Sequence, residues 1–205
     1  MMKQMQRMAA FLGAMVLAVA AQAAGEAPDA LIKQVSTEVL DAVKADKGIQ
    51  SGDTQKVMAL VDSKVMPHVN FQRMTASAVG RYWRQATPDQ QKRLQDEFKT
   101  LLVRTYSGAL AQVRDQTISL KPMRSNPTDT EVIVRTEVKG KGDPIQLDYR
   151  LEKADAGWKI YDVNVMGIWL VENYRNSFAQ EIGSNGVDGL IAKLAERNKA
   201  AAAKS

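Results

Sequence analysis

Two periodicities divide the chain. Between Pro28 and Val113 apolar residues recur every three or four positions, and between Ile118 and Val165 every second position. The first spacing marks helices with one buried face, the second marks strands with one buried face. Leu31, Val35, Val39 and Val43 predict a helix over Pro28–Ala45, ended by Gly48. Asp53 fits the N-cap of a second helix through Val57, Leu60, Val61 and Val65, stopped by Pro67. Phe71–Val79 reads as a short third helix closed by Gly80. Thr87, Pro88 and Gln90 form a capping-box start, followed by Leu94, Phe98, Leu101, Leu102, Tyr106, Leu110 and Val113. That segment is the longest periodic one and predicts the longest helix.

Beyond Asp115 the period falls to two. Ile118 and Leu120 open it, and Pro122 and Pro127 bound a loop. Val132, Val134, Thr136 and Val138 share a face, then Gly140-Lys141-Gly142 makes a turn. Ile145, Leu147, Tyr149 and Leu151 alternate with Gln146, Asp148, Arg150 and Glu152. A hairpin link, Lys153 to Gly157, leads into Trp158–Val165. The chain breaks at Gly167, and Leu170, Val171, Tyr174 and Phe178 restore a helical spacing that Ile182 closes. Val187, Leu190, Ile191 and Leu194 predict a last helix over Asn185–Asn198, before a frayed Lys199–Ser205 tail. Helices, then about four antiparallel strands, then helices predict an α+β fold, with helices on one face of a curved sheet. Two strands and a returning helix would enclose a half-open apolar compartment.

The first 23 residues stand apart. Lys3 and Arg7 precede an apolar run from Met8 to Ala20, and Ala21-Gln22-Ala23 fits a signal-peptidase site. This predicts a secretory signal peptide over 1–23 and a single domain over 24–205. The run is shorter than the ~20 residues that span a bilayer. No cysteine follows, so neither a lipidated anchor nor a disulfide is expected. The net charge of +5 falls to +3 without Lys3 and Arg7, and it is spread along the chain. No basic block of the kind that binds nucleic acid is present.

Candidate chemistry is sparse. With no Cys and one His, thiol catalysis and multi-histidine metal sites are excluded. His68 reads as a structural hydrogen-bonding residue. Asp148 and Asp162 with neighbouring tyrosines would suit an isomerase-like acid pair in a cone-shaped sheet, although Asp148 falls on a polar strand face. Arg81-Tyr82-Trp83-Arg84 suits either phosphate contact at an apolar rim or ordinary ion pairing. Trp169, flanked by Ile168 and Leu170, is either core or the lip of a pocket.

Two blocks of residues resemble a known family. One is Met66-Pro-His-Val-Asn-Phe-Gln-Arg-Met74 running into Ala78-Val-Gly-Arg-Tyr-Trp-Arg84, with Phe98, Leu102, Thr105 and Tyr106 behind. The other is Trp158 to Leu170, then Tyr174-Arg175 and Phe178. Together they resemble the MlaC or toluene-tolerance family, the periplasmic phospholipid-binding proteins of the Mla lipid-asymmetry pathway, over about residues 28–198. Asn70 and Trp169 depart from the acid and the small residue common there.

The resemblance implies an NTF2-like curved sheet with a helical layer and an internal lipid pocket. It implies a monomeric periplasmic carrier without catalysis or cofactor. Its partners are phospholipid, an outer-membrane lipoprotein–porin complex and an inner-membrane ABC transporter with an MCE-domain ring. The expected lipid contacts are Val69, Phe71 and Met74 before the long helix, and Leu102, Tyr106 and Leu110 on it. On the strands they are Val134, Leu147, Tyr149, Tyr161, Val163 and Val165. At the bend they are Ile168, Trp169, Leu170 and Tyr174, with Arg84 at the headgroup rim. A diacyl lipid carries roughly 30 methylenes, at ~0.8 kcal/mol each. A carrier must match that environment with a cavity approaching about 1,000 Å³. The alternatives are a small-molecule isomerase or hydrolase, and an adaptor whose groove holds a partner peptide.

Overall fold

The structure is a computed structural model that describes residues 26–126 and 128–203. The expected signal peptide, Pro127 and the last two residues lie outside it. Helix α1 spans Pro28–Ala45, α2 Lys47–Gln50 and α3 Thr54–Leu60. A π turn at Val61–Val65 and a 3₁₀ turn at Met66–His68 lead to α4, Phe71–Val79. A second 3₁₀ turn, Gly80–Gln85, precedes α5, Pro88–Ala111. Five strands follow: β1 Thr117–Leu120, β2 Glu131–Lys139, β3 Ile145–Ala154, β4 Gly157–Val165 and β5 Ile168–Trp169. Helix α6, Leu170–Ala202, closes the chain.

Local chemistry explains most boundaries. The Asp53 carboxylate accepts from the backbone N–H groups of Gln55 and Lys56 and starts α3. Thr87 and Gln90 exchange the two bonds of a capping box at α5. Gly80 ends α4 at φ 66°, ψ −136°, a conformation essentially reserved for glycine. Three boundaries differ from the periodicity. Asp46, not Gly48, terminates α1, because its carboxylate caps α2 by accepting from the N–H groups of Gly48 and Ile49. The second predicted helix does not run regularly to Pro67; it widens into the π turn after Leu60. Helix α6 continues to Ala202 through the expected tail, interrupted only where Gly186 adopts φ 73°, ψ −179°.

The sheet is antiparallel and open, in the order β1-β2-β3-β4-β5. Its fifth strand was not anticipated. Met166 and Gly167, both with positive φ, form a two-residue turn that folds Ile168 and Trp169 back onto Val165 and Asn164. Between β3 and β4 the register shifts: Arg150 pairs with Asp162, but Leu151 pairs with Ile160. Tyr161 is therefore the extra residue of a β-bulge, which bends β4 and turns that side chain.

Three apolar clusters fill the interior. Helix α1 packs Leu31, Ile32 and Val35 on Val132, Val134, Leu151 and Ile160 of the sheet. Helices α1–α3 meet α5 around Val43, Val57, Leu60 and Val103. The largest cluster joins α4, α5 and α6 around Phe98, which is fully buried. Phe98 meets Tyr174 and Phe178 edge-on, with ring centroids 5.1 and 5.2 Å away, and Phe71 at 5.9 Å. Replacing Phe98 by Ala should cost about 3–5 kcal/mol in a denaturant titration, since one ring anchors three helices.

Candidate functional site

An apolar cavity of about 200 Å³ lies between the α3-to-α4 segment, α5 and the inner edge of β4. On one wall α3 and the π turn set Val57, Val61 and Val65 at four-residue spacing, followed by Met66 and Val69. On the other, Leu102, Tyr106 and Leu110 continue the row that begins at Phe98, with Val103 and Ser107 beside them. Phe71 and Met74 of α4, Val163 of β4 and Leu170 of α6 close the inner end. Burial raises the pKa of the Tyr106 hydroxyl above its ordinary value. Ser107 is nine-tenths buried, and its hydroxyl donates to the Arg104 carbonyl at 3.2 Å. Among the described residues no carboxylate lines this space.

Eight sequence-predicted residues meet here: Val69, Phe71, Met74, Leu102, Tyr106, Leu110, Val163 and Leu170. Nine do not. Val134 is fully buried and Tyr149 packs in the same cluster, because side chains of α1 fill that part of the inner face. Tyr174 is consumed by the Phe98 ring cluster. Leu147 and Val165 pair across β3 and β4 at the sheet's far end, half-buried. The bulge turns Tyr161 outward, where the Arg73 guanidinium lies 3.7 Å from its ring centre and its hydroxyl donates to Glu131 at 3.1 Å. Trp169 stacks under Arg150, 3.8 Å from ring centre to guanidinium carbon. Ile168 is exposed on β5, and Arg84 is exposed on the Gly80–Gln85 turn.

Sequence reasoning missed Val57, Val61, Val65, Met66, Lys99, Val103 and Ser107. The valines did carry a signal, their four-residue spacing, but spacing alone does not separate a cavity wall from a packed face. The volume is also smaller than expected.

The acids considered for an isomerase lie elsewhere. Asp162 is buried and points away from the cavity to the start of α6, accepting from the N–H groups of Val171 at 3.1 Å and Val163 at 2.9 Å. Arg150 donates to its other oxygen at 3.1 Å. Burial raises this carboxyl; the two N–H groups and Arg150 oppose that shift. Asp148 is half-buried beside Arg135, at 4.0 Å. His68 is half-buried in its 3₁₀ turn and makes no side-chain hydrogen bond among the described residues, so it does not brace the fold as expected. Arg81 pairs with no acid among the described residues; it donates to the Tyr82 hydroxyl at 2.9 Å.

A family model described as "MlaC protein" matches residues 33–196. The chain belongs to the MlaC family. It is 26% identical over 185 residues to the toluene tolerance protein ttg2D of Pseudomonas putida, covering 87% of this chain and 86% of that one. It is 21% identical over 171 residues to the intermembrane phospholipid transport system binding protein MlaC of Haemophilus influenzae, covering 82% and 80%. Among solved structures it is similar to the phospholipid-binding protein from Ralstonia solanacearum, determined in complex with a phospholipid. That likeness has a TM-score of 0.84 and 48% identity, over 86% of this chain and 99% of the other. Among the described residues no helix is long and apolar enough to cross a membrane.

The outer sheet face carries a second, polar hollow of about 580 Å³ lined by Arg124, Arg135, Arg150, Asp129, Glu131 and Tyr161. Arg73 bridges this face to α4 through ion pairs with Glu131 and Glu152, and Asn70 donates to Glu152 at 2.6 Å. The Arg73 hydrogen bond holds the Glu131 carboxyl below its ordinary value. A carboxyl lowered by folding stabilises above its unfolded pKa, and that stability is lost as pH falls through the folded value. Glu131→Gln should therefore lower Tm at pH 7, and the gap to wild type should narrow below about pH 4.3. Thermal melts across that range read it directly.

Proposed function

We propose that this protein binds phospholipid by its acyl chains in the α3–α5 cavity and carries it between the two membranes of the envelope, in the periplasm. One observation carries the reading. The cavity is lined mostly by apolar side chains, with no carboxylate among the described residues, in a chain 48% identical to a protein determined with a phospholipid. Residues 1–23 act as the export signal and the remainder as one binding domain. Lipid is received from, and delivered to, an outer-membrane lipoprotein–porin complex and an inner-membrane ABC transporter with an MCE-domain ring. No catalysis or cofactor enters the cycle.

The energetics favour a soluble carrier. Roughly 30 methylenes at ~0.8 kcal/mol each put free transfer through water on the order of 25 kcal/mol uphill. A wall of valine, leucine and aromatic side chains lowers that barrier for the methylenes it encloses and discriminates little between tails. Direction comes from an energised partner, since a carrier alone only equilibrates lipid. An isomerase is disfavoured by the placement of Asp162, whose carboxylate serves as a helix cap away from the cavity.

Native mass spectrometry of the exported protein should show co-purified phospholipid, and consistently empty protein would overturn the reading. Val163→Glu places an unpaired carboxylate in the wall and should abolish retention. Circular dichroism run alongside separates lost binding from lost fold.

A further inference from the structure

Among the described residues lining the cavity, Lys99 alone is charged. Its aliphatic stem forms part of the wall of α5, and its ammonium reaches Oδ1 of Asp62 at 2.7 Å. Asp62 belongs to the π turn whose Val61 and Val65 line the facing wall. The side chains of Lys99 and Asp62 are 24% and 48% exposed, so the pair stands where the cavity wall meets solvent. A lysine that lays its methylenes on an apolar wall and keeps its charge in water is the usual arrangement at a lipid–water boundary.

We propose that Lys99 reads the phosphodiester of the bound lipid, with Asp62 as its counter-ion until the headgroup arrives. This rests on the phospholipid reading above and adds the residue that recognises the headgroup. Three features support it. A lipid with its tails in the cavity brings one anion to the rim, and Lys99 is the cation at that wall. An ion pair as exposed as Lys99–Asp62 contributes little to stability, so exchanging the carboxylate for a phosphate is easy. Asp62 returns to water, while the flexible lysine stem follows the phosphate as a compact point charge.

The cavity's size couples the exchange to loading. A dry cavity of about 150 Å³ takes one benzene, and the space here is about 200 Å³. Acyl tails need a wider opening, and separating the π turn from α5 pulls Asp62 from Lys99. The movement that admits tails thus frees the ammonium for the phosphate.

The test compares Lys99→Gln with Asp62→Asn, which break the same ion pair. Each protein is offered an equimolar mixture of phosphatidylglycerol and diacylglycerol with identical acyl chains, and the retained lipid is counted by native mass spectrometry. Wild type should favour the phospholipid by about tenfold, the scale of one charge-assisted hydrogen bond. Lys99→Gln should lose that preference while still retaining diacylglycerol, which shows the fold and cavity intact. Asp62→Asn should increase it. If both variants shift the same way, the pair is only a brace and the proposal fails. It fails equally if Lys99→Gln keeps the wild-type preference, or if wild type holds both lipids equally while the carrier reading survives. Wild type holding neither lipid overturns both readings. Retention of inorganic phosphate by diacylglycerol-loaded wild type would overturn the headgroup assignment in favour of a free-anion site.

Discussion

The Phe98 ring sets the spacing on which the site depends. Helix α5 approaches α4 and α6 through that ring, which is wedged against Phe71, Tyr174 and Phe178 at centroid distances of 5.1 to 5.9 Å. Aromatic rings at those distances are in contact and resist closer approach. Further along the same helix face the row continues as Leu102, Tyr106 and Leu110, and among the described residues Tyr106 has no ring partner. The facing residues are Val57, Val61 and Val65, which are shorter. A helix held off by large rings at one end and met by small side chains at the other leaves a gap between. The cavity is thus a consequence of side-chain size along two facing rows.

The two walls differ in how firmly they are held. Helix α5 is continuous over 24 residues and sends Leu94, Phe98 and Leu101 into the largest cluster. The facing wall passes through a π turn and a 3₁₀ turn, and none of the residues 61–68 is fully buried. It is tied down mainly at its edges. Lys99 holds Asp62, Lys64 holds Glu38 of α1 at 3.1 Å, and Lys159 donates to the Pro67 carbonyl at 2.6 Å. Beyond it, Asn70 N–H donates to the Ile160 carbonyl at 2.8 Å and fixes the start of α4 to the sheet. Polar ties of this kind exchange with water at small net cost, whereas separating buried apolar surfaces is expensive. The wall of turns is the one that yields when the cavity must widen.

Much of the fold was legible because backbone chemistry is local. The caps at Asp53 and Thr87, the stop at Gly80 and the break at Gly167 each follow from one or two residues. The recurrence of Val132, Val134 and Thr136 at every second position places one strand face inward, and all three are buried while the residues between them are exposed. Legibility ended where a single residue altered the phase. Tyr161 and Val163 share a parity, and alternation assigns them to one face. The bulge opposite Arg150 and Leu151 sends them to opposite sides, and no residue type in Tyr161-Asp162 announces it.

A deeper limit concerns what an apolar face meets. Periodicity reports that a side chain avoids water; it does not report whether another side chain or a hollow takes the water's place. Val134 and Val163 have the same chemistry and lie on the same sheet face. Leu31, Ile32 and Val35 cover Val134 completely, while Val163 packs only at the margin of that cluster and also borders the cavity. The distinction resides in helix placement, a property of the whole chain. Charge is more informative than apolarity in this respect. A lysine on an otherwise apolar wall must keep its ammonium in water or in a pair, so Lys99 marks the boundary of the hollow, which no valine or leucine does. For a binding site built almost entirely of hydrocarbon, the residue that breaks the apolar pattern locates the mouth.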